Sequence, residues 1–308
     1  MKKIFANIFN KKKALIISLL LFNLIINIKI VFCQSTDWEI GLMLGGSNYV
    51  GDINNMFKNG KDDSKEWNQF ESSFNMYNVH IMGGVIARYN FNPRWTLRVS
   101  VLFSKLSGED SHFDNARNLS FYTNIQDVAI NGEFNFLDYR TGSLQHRVTP
   151  YIFGGIALFH FNPKTDIIDK NGEKQTLSLH DYHTEGQGFY DGRTNYHLLQ
   201  VSIPFGLGMK FSLTKYVCLG LEWGFRKTFT DYIDDISSTY AGRANIAYNV
   251  NDNAAIASDR TNELPGYENI YHKEGEMRGN STTKDWYNFF GITITSKISS
   301  GNTKCLRH

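Results

Sequence analysis

The chain has 308 residues, of which 42% are hydrophobic, 14% aromatic and 20% charged, and its formal net charge is +2. That hydrophobic share excludes a disordered chain, and a mean hydropathy of -0.34 excludes a bundle of membrane-spanning helices. Past one N-terminal apolar run the hydrophobic residues are spread thinly, which leaves a soluble all-β protein or a transmembrane β-barrel, whose signal is weak in each strand.

Residues 1–33 read as a cleaved signal peptide. Lys2, Lys3, Lys11, Lys12 and Lys13 form its basic start, and Ala14 to Phe22 its apolar run. Asn23, Asn27 and Lys29 interrupt that run before it is long enough to span a bilayer. Val31 and Cys33 are small enough for the −3 and −1 positions of a cleavage site, so Gln34 begins the mature chain. A retained anchor and a lipoprotein acylated on Cys33 are the alternatives; bulky Phe32 speaks against the second. Cleavage removes six lysines and no acid, taking the net charge from +2 to −4. A mildly acidic product has no electrostatic footprint for nucleic acid.

Eight stretches then alternate with period two, as strands do when one face meets lipid and the other a lumen. In the first, Trp38, Ile40, Leu42 and Leu44 oppose Glu39, Gly41, Met43 and Gly45. In the second, Val79, Ile81, Val85, Ala87 and Tyr89 oppose His80, Met82, Gly84 and Arg88. In the third, Leu97, Val99, Val101 and Phe103 oppose Arg98, Ser100 and Ser104, and in the fourth Val128, Ile130, Phe134 and Phe136 oppose Asn131, Glu133 and Asn135. The fifth sets Tyr151, Phe153, Ala157, Phe159 and Phe161 against Gly154 and His160, less cleanly, since Ile152, Ile156 and Leu158 are also apolar. The sixth, Leu199 to Leu213, is the clearest, with Lys210 on its polar face. The seventh sets Leu219, Leu221, Trp223 and Phe225 against Gly220, Glu222, Gly224 and Arg226. The eighth runs from Trp286 to Ile298.

The connections alternate strictly between short and long. The short ones are Asn92-Pro93-Arg94, the modest turn from Arg140 to Thr149, and Thr214-Lys215-Tyr216; the long ones cover about 50–77, 105–126, 163–196 and 231–285. Short periplasmic turns and long external loops are the habit of outer-membrane barrels, and a sandwich has no reason to sort its loops this way. About half of the 26 glycines fall inside strands, where a narrow barrel uses them to relieve crowding. Pro204 removes a ladder donor and reads as a bulge or a lumen-facing kink. The expected architecture is an all-β, eight-stranded antiparallel transmembrane β-barrel with four long external loops over residues 34–298. A signal peptide precedes it and a periplasmic tail, 299–308, follows.

The polar face carries Glu39, Arg88, Arg98, Glu133, Lys210, Glu222 and Arg226. In so narrow a lumen these charges must pair or be hydrated, because an unpaired buried charge is costly. No catalytic motif is present, no cofactor is implied, and His80 and His160 read as lumen or rim residues. Asp231, Asp234 and Asp235 read as a solvated acidic rim rather than a calcium site. Trp38, Phe91, Trp95, Tyr139, Tyr151 and Tyr216 fit an aromatic girdle at the periplasmic end, and Tyr77, Tyr232 and Trp286 one at the outer end. Cys218 and Cys305 both fall at the periplasmic rim. At least one of them is expected in a disulfide, with the other or with a periplasmic protein, two inert thiols being the alternative.

Several segments resemble the PorG-type barrels of Bacteroidota, an outer-membrane component of the type IX secretion system. The opening Trp38-Glu39-Ile40-Gly41-Leu42-Met43-Leu44-Gly45-Gly46 and Tyr49-Val50-Gly51-Asp52 are similar to that family's first strand. Gln200 to Gly206 is similar to its sixth. Gly220-Leu221-Glu222-Trp223-Gly224-Phe225-Arg226-Lys227-Thr228-Phe229-Thr230-Asp231-Tyr232, with Asp234-Asp235 and Ser238-Thr239-Tyr240, is the most specific stretch, and Asp285-Trp286-Tyr287 also fits. The resemblance implies a non-enzymatic outer-membrane barrel that helps assemble the secretion machinery, and in some species gliding, by anchoring a periplasmic ring of PorK and PorN (GldK and GldN) type. It carries no catalytic residues. The alternative is an OmpA- or OmpX-like small barrel that binds an external ligand through its long loops.

Overall fold

The computed structural model describes residues 37–53, 78–110 and 117–298. The signal segment, Asp62, Asp63, Tyr77, Cys305 and the tail 299–308 lie outside the described residues. There are ten strands: β1 (Asp37–Val50), β2 (His80–Asn90), β3 (Trp95–Glu109), β4 (Ser120–Asn135), β5 (Val148–His160), β6 (Lys164–Ile168), β7 (Lys174–Ser178), β8 (Leu199–Ser212), β9 (Val217–Thr228) and β10 (Trp286–Ile298). Eight of them close an antiparallel barrel in the order β1-β2-β3-β4-β5-β8-β9-β10, with β10 pairing back to β1. The remaining two, β6 and β7, form a hairpin that touches β4 at Tyr122↔Lys164. This hairpin falls in a segment expected as plain loop.

Local chemistry fixes the short turns. Asn92 Oδ1 accepts from the backbone N–H groups of Arg94 and Trp95 at 2.8 and 2.9 Å, an Asx turn that sends β2 into β3. Thr214 Oγ1 does the same for Val217 at 3.0 Å between β8 and β9. Trp38, Phe91, Trp95 and Tyr216 gather at this end of the barrel and face outward. Trp38 packs on Tyr89 at 5.0 Å and Trp95 on Phe134 at 4.9 Å. Above them Ile40, Leu42, Val85, Val99, Ile130, Ile152, Leu207, Leu221 and Ile292 are all exposed. A closed barrel with an apolar outside and a polar inside is built for contact with lipid.

Toward the long-loop end the pattern inverts. On β3 and β4, Leu106, Phe121 and Ile125 turn inward while Lys105, Asn124 and Gln126 are exposed or half-exposed. Past the apolar belt the strands thus take the water-facing arrangement, apolar in and polar out. The β3–β4 ladder continues to Glu109↔Ser120, so the connection expected over 105–126 shrinks to 110–119. β5 faces the opposite way to the one expected, because both of its faces are apolar: Tyr151, Phe153, Ala157 and Phe159 face the lumen, whereas Ile152, Ile156, Leu158 and His160 face out. Tyr139 and Tyr151 therefore leave the expected girdle and lie buried inside.

Lumen glycines make room for these inward rings. A Cβ on Gly206 would sit 2.6 Å from Phe153 Cζ, and one on Gly208 2.6 Å from the Tyr151 ring. Pro204 faces the lumen and interrupts pairing with β5, which stops at Gly154↔Phe205 and resumes at Ala157↔Ser202 in the same register. It is a missing donor without a bulge.

Two substitutions test this geometry through urea-unfolding midpoints in lipid vesicles. Leu207→Arg, in the apolar belt, is expected to destabilise by about 2–4 kcal/mol, whereas Asn124→Arg, above the inversion, should change stability by less than about 0.5 kcal/mol. Equal effects would contradict the placement of the belt.

Candidate functional site: lumen and outer cap

All seven charges expected in the lumen are buried there. Glu133, on β4, is the centre of the larger group. Its Oε1 accepts from Arg88 Nε at 3.1 Å and lies 3.2 Å from Arg98 Nη1, while its Oε2 accepts from Lys210 Nζ at 2.5 Å. Arg98 Nη1 also donates to Glu222 Oε2, which accepts from Tyr151 Oη as well. The cations rest on the inward rings: the Arg98 guanidinium lies 4.3 Å from the Phe153 centroid and Lys210 Nζ 4.6 Å from that of Tyr151. Arg226 belongs to a second group. Its Nε donates to Asp127 Oδ2 at 3.2 Å, Tyr287 Oη donates to the same oxygen at 2.9 Å, and Phe289 lies beneath the guanidinium.

Glu39 stands apart at the short-turn end, with no ion pair among the described residues. It accepts from Asn90 Nδ2 at 3.1 Å, Thr141 Oγ1 at 2.6 Å and Thr295 Oγ1 at 2.9 Å. The turn carrying Thr141 thereby folds beneath the lumen. Cys218 is buried beside it as a free thiol. Asp127 is the charge the alternation misses, because it sits one pleat above the clearly polar run of β4.

The long-loop end is covered by a folded cap built from 161–198 and 229–285. It contains the β6–β7 hairpin and three short helices, α1 (Leu179–Tyr182), α2 (Arg243–Asn249) and α3 (Asp252–Ser258). Asn251 caps α3, its Oδ1 accepting from Ala254 N at 2.8 Å. One apolar cluster runs from the barrel into this cap, joining Leu106, Phe121, Phe159 and Phe161 to Ile167, Leu177, Ile233, Ile236 and Ala257. Tyr196 stacks on Phe161 at 6.0 Å and on Tyr232 at 4.6 Å, so Tyr232 is a packing residue rather than a girdle aromatic. Side chains thus fill the barrel from the Glu39 level to the cap.

Asp231, Asp234 and Asp235 do not form a solvated rim. All three are buried inside the cap, with Asp52, Asp110, Glu185 and Asp285 around them. Arg117 chelates Asp110 through Nη2 at 2.8 Å and Nε at 3.2 Å, and donates to the carbonyls of Asp52 and Arg278. Arg278 Nη1 donates to Glu185 Oε1 at 3.0 Å and to the Asp235 carbonyl at 2.6 Å. Asp235 also accepts from Tyr196 Oη at 2.7 Å and from Thr184 Oγ1. Burial pushes Asp235 up to about 6 against the pull of Arg278. It pushes Asp52 up to about 6, and Asp231, facing the charge of Asp52, up to about 8. Carboxyls below their own pKa donate as well as accept, so this frame is held by shared protons as well as by ion pairs.

Among the described residues no group of three or more His, Cys, Asp or Glu side chains is arranged to hold a metal ion. Three of the histidines are tied into structure. His80 bonds Ser107 Oγ at 2.7 Å, His180 bonds Asp181 and the Tyr196 carbonyl, and His272 bonds Thr261 and Asp259 through one ring nitrogen.

Glu133→Gln leaves Arg88, Arg98 and Lys210 facing one neutral amide in a closed space. It is expected to cost about 3–5 kcal/mol, read as a lowered unfolding midpoint in detergent. An unchanged midpoint would mean that solvent, rather than Glu133, neutralises these bases.

Three solved barrels illustrate the likeness of shape. Ail of Yersinia pestis, seen with the heparin analogue sucrose octasulfate, is 8% identical over 86% of this chain and 100% of its own, with a TM-score of 0.37. OprG of Pseudomonas aeruginosa is 9% identical over 87% and 98%, with a TM-score of 0.39. Neisserial surface protein A is 10% identical over 85% and 97%, with a TM-score of 0.35. No curated protein matches the sequence. Residues 18–255, well over half of the chain, match the family described as Domain of unknown function (DUF6089), and the protein belongs to that family.

Proposed function

We propose that this is a non-enzymatic outer-membrane barrel acting as a structural component of the type IX secretion machinery, where it anchors a periplasmic ring of PorK and PorN (GldK and GldN) type. The filled lumen carries the structural half of this reading. Ion pairs, aromatic rings and a continuous apolar cluster occupy the space a transported solute would need, so the barrel works through its surfaces. The secretion half rests on the resemblance of Gly220–Tyr232 and of the segments that follow it to the PorG-type barrels. In this chain the same stretch forms the end of β9 and the acidic frame of the cap. In this reading the short turns face the periplasm, where a ring is within reach. Whether gliding depends on the protein follows from the machinery it serves.

A second reading has its own observation. The cap exposes Tyr248, Ile270, Tyr271 and Met277 on the outer side, an apolar and aromatic set suited to an external ligand.

Affinity purification from detergent-solubilised membranes, together with deletion of the gene, separates the two. Co-purified ring proteins and loss of secreted cargo are expected. Normal secretion, no ring proteins and altered adhesion would instead favour the external-ligand reading.

A further inference from the structure

The cap meets the barrel wall at a buried tyrosine and two buried acids, and among the described residues neither acid forms an ion pair. Tyr49 lies at the end of β1, Asp234 within the cap, and Asp285 immediately before β10; none is more than 1% exposed. Tyr49 Oη lies 2.7 Å from Asp234 Oδ2 and 2.7 Å from Asp285 Oδ1. The other carboxyl oxygens are taken by the chain itself. Ile236 N donates to Asp234 Oδ1 at 2.9 Å and Ile233 N to Asp285 Oδ2 at 2.8 Å. Each hydrogen bond uses one proton, and a phenol has one to give. Two contacts at Tyr49 Oη therefore require a second proton, and it must sit on one of the two carboxyl groups.

We propose that Tyr49, Asp234 and Asp285 form a proton-dependent latch. One of the two acids stays protonated and donates to Tyr49 Oη, Tyr49 donates to the other, and the pair of bonds pins the cap segment 231–238 to the barrel. Loss of the shared proton leaves two buried carboxylates against one donor and frees that segment.

The surrounding charges favour the protonated form. Asp52 follows β1, Asp231 and Asp235 flank Asp234 in the cap, and Glu185 reaches in from the segment after α1, all acidic and buried. Two nearby bases are paired with other acids, Arg117 with Asp110 and Arg278 with Glu185, while exposed Lys284 bonds the Ser281 carbonyl at 3.1 Å and pulls on Asp231. Burial first, then the neighbouring carboxylates, hold Asp234 and Asp285 well above the usual carboxylate range. The closed cap therefore binds more protons than the open one. The latch is complete below the ordinary aspartate value of about 3.9. As pH rises from there through the raised value, each unit lowers the closed-to-open ratio about tenfold per proton.

Infrared spectroscopy of the full-length protein in lipid vesicles at about pH 6 tests the proton directly, and amide exchange of 231–238 from about pH 6 to about pH 9, corrected for intrinsic rates, tests the latch. The protonated-carboxyl C=O band of the native protein is expected to lose intensity in both Asp234→Asn and Asp285→Asn, with Asp231 supplying the remainder. Opening should rise at least about tenfold with pH in the native protein. The rise should be smaller in Asp285→Asn, whose amide donates to Tyr49 Oη without a titrating proton, leaving only the titration of the other cap acids. A band of undiminished intensity in both substitutions, an undiminished rise in Asp285→Asn, or native exchange that is flat with pH, overturns the proposal. The native measurements decide it even where a variant fails to fold.

Discussion

A backbone surrounded by lipid can leave no N–H or C=O unpaired, and the rest of this molecule follows from meeting that condition. Pairing β10 with β1, and β3 with β4, closes a ring of eight strands. Eight strands leave an interior just wide enough for side chains. Whatever the inward pleats carry must then fit, and its charges must pair or be hydrated. Glu133 answers this by accepting from Arg88 and Lys210 while lying against Arg98. The aromatic rings of Tyr151 and Phe153 occupy the space beside the cations, and Gly206 and Gly208 supply the clearance those rings need. Charge, ring and glycine form one packing solution across β3, β4, β5, β8 and β9.

The solution changes with height. Through the apolar belt the outside is greasy and the inside charged. Above it Leu106, Phe121, Ile125 and Phe159 point in, and the outside turns polar. This is how one set of strands serves two solvents: the inner half is a membrane barrel, and the outer half contributes the base of a water-facing domain whose other side is the cap. The cap's carboxyls, Asp52, Asp231, Asp234 and Asp285, sit where the apolar cluster ends and few cations reach. That location, out of both bulk water and the lumen ion pairs, is why their protonation matters more than that of any surface acid.

The closed barrel and its charged lumen were legible in the sequence because period-two alternation is strongest where the two faces meet opposite media. Leu199 to Leu213 is such a case. The same rule misplaced β5. Its inward residues include Phe153, Ala157 and Phe159, its outward ones Ile152, Ile156 and Leu158, so both faces are apolar and the alternation carries no sign. Tyr139 and Tyr151 read as girdle aromatics for a related reason: position along a strand does not say which side of the wall a ring is on. Asp231, Asp234 and Asp235 read as solvated because nothing local reveals that Tyr49, Arg278 and Tyr196, far away in sequence, close over this segment. The β6–β7 hairpin and helices of four to seven residues are too short for periodicity to declare them, and it is the cap's apolar cluster that holds them.

A barrel filled from end to end behaves mechanically as a plug. Glu133 bridges β4 to β2 and β8, and Asp127 bridges β4 to β9 and β10, so a local displacement of one wall is opposed by charges that would be left buried and unpaired. Such a wall transmits position and resists dilation, which suits an anchor better than a gate. The part of the molecule free of that constraint is the cap, where contacts are shared by loops and by protons rather than by a continuous ladder. Rigidity in the membrane and adjustability above it are thus separated at one level of the structure, the ring of residues from Tyr49 to Asp285 where the strands leave the apolar belt.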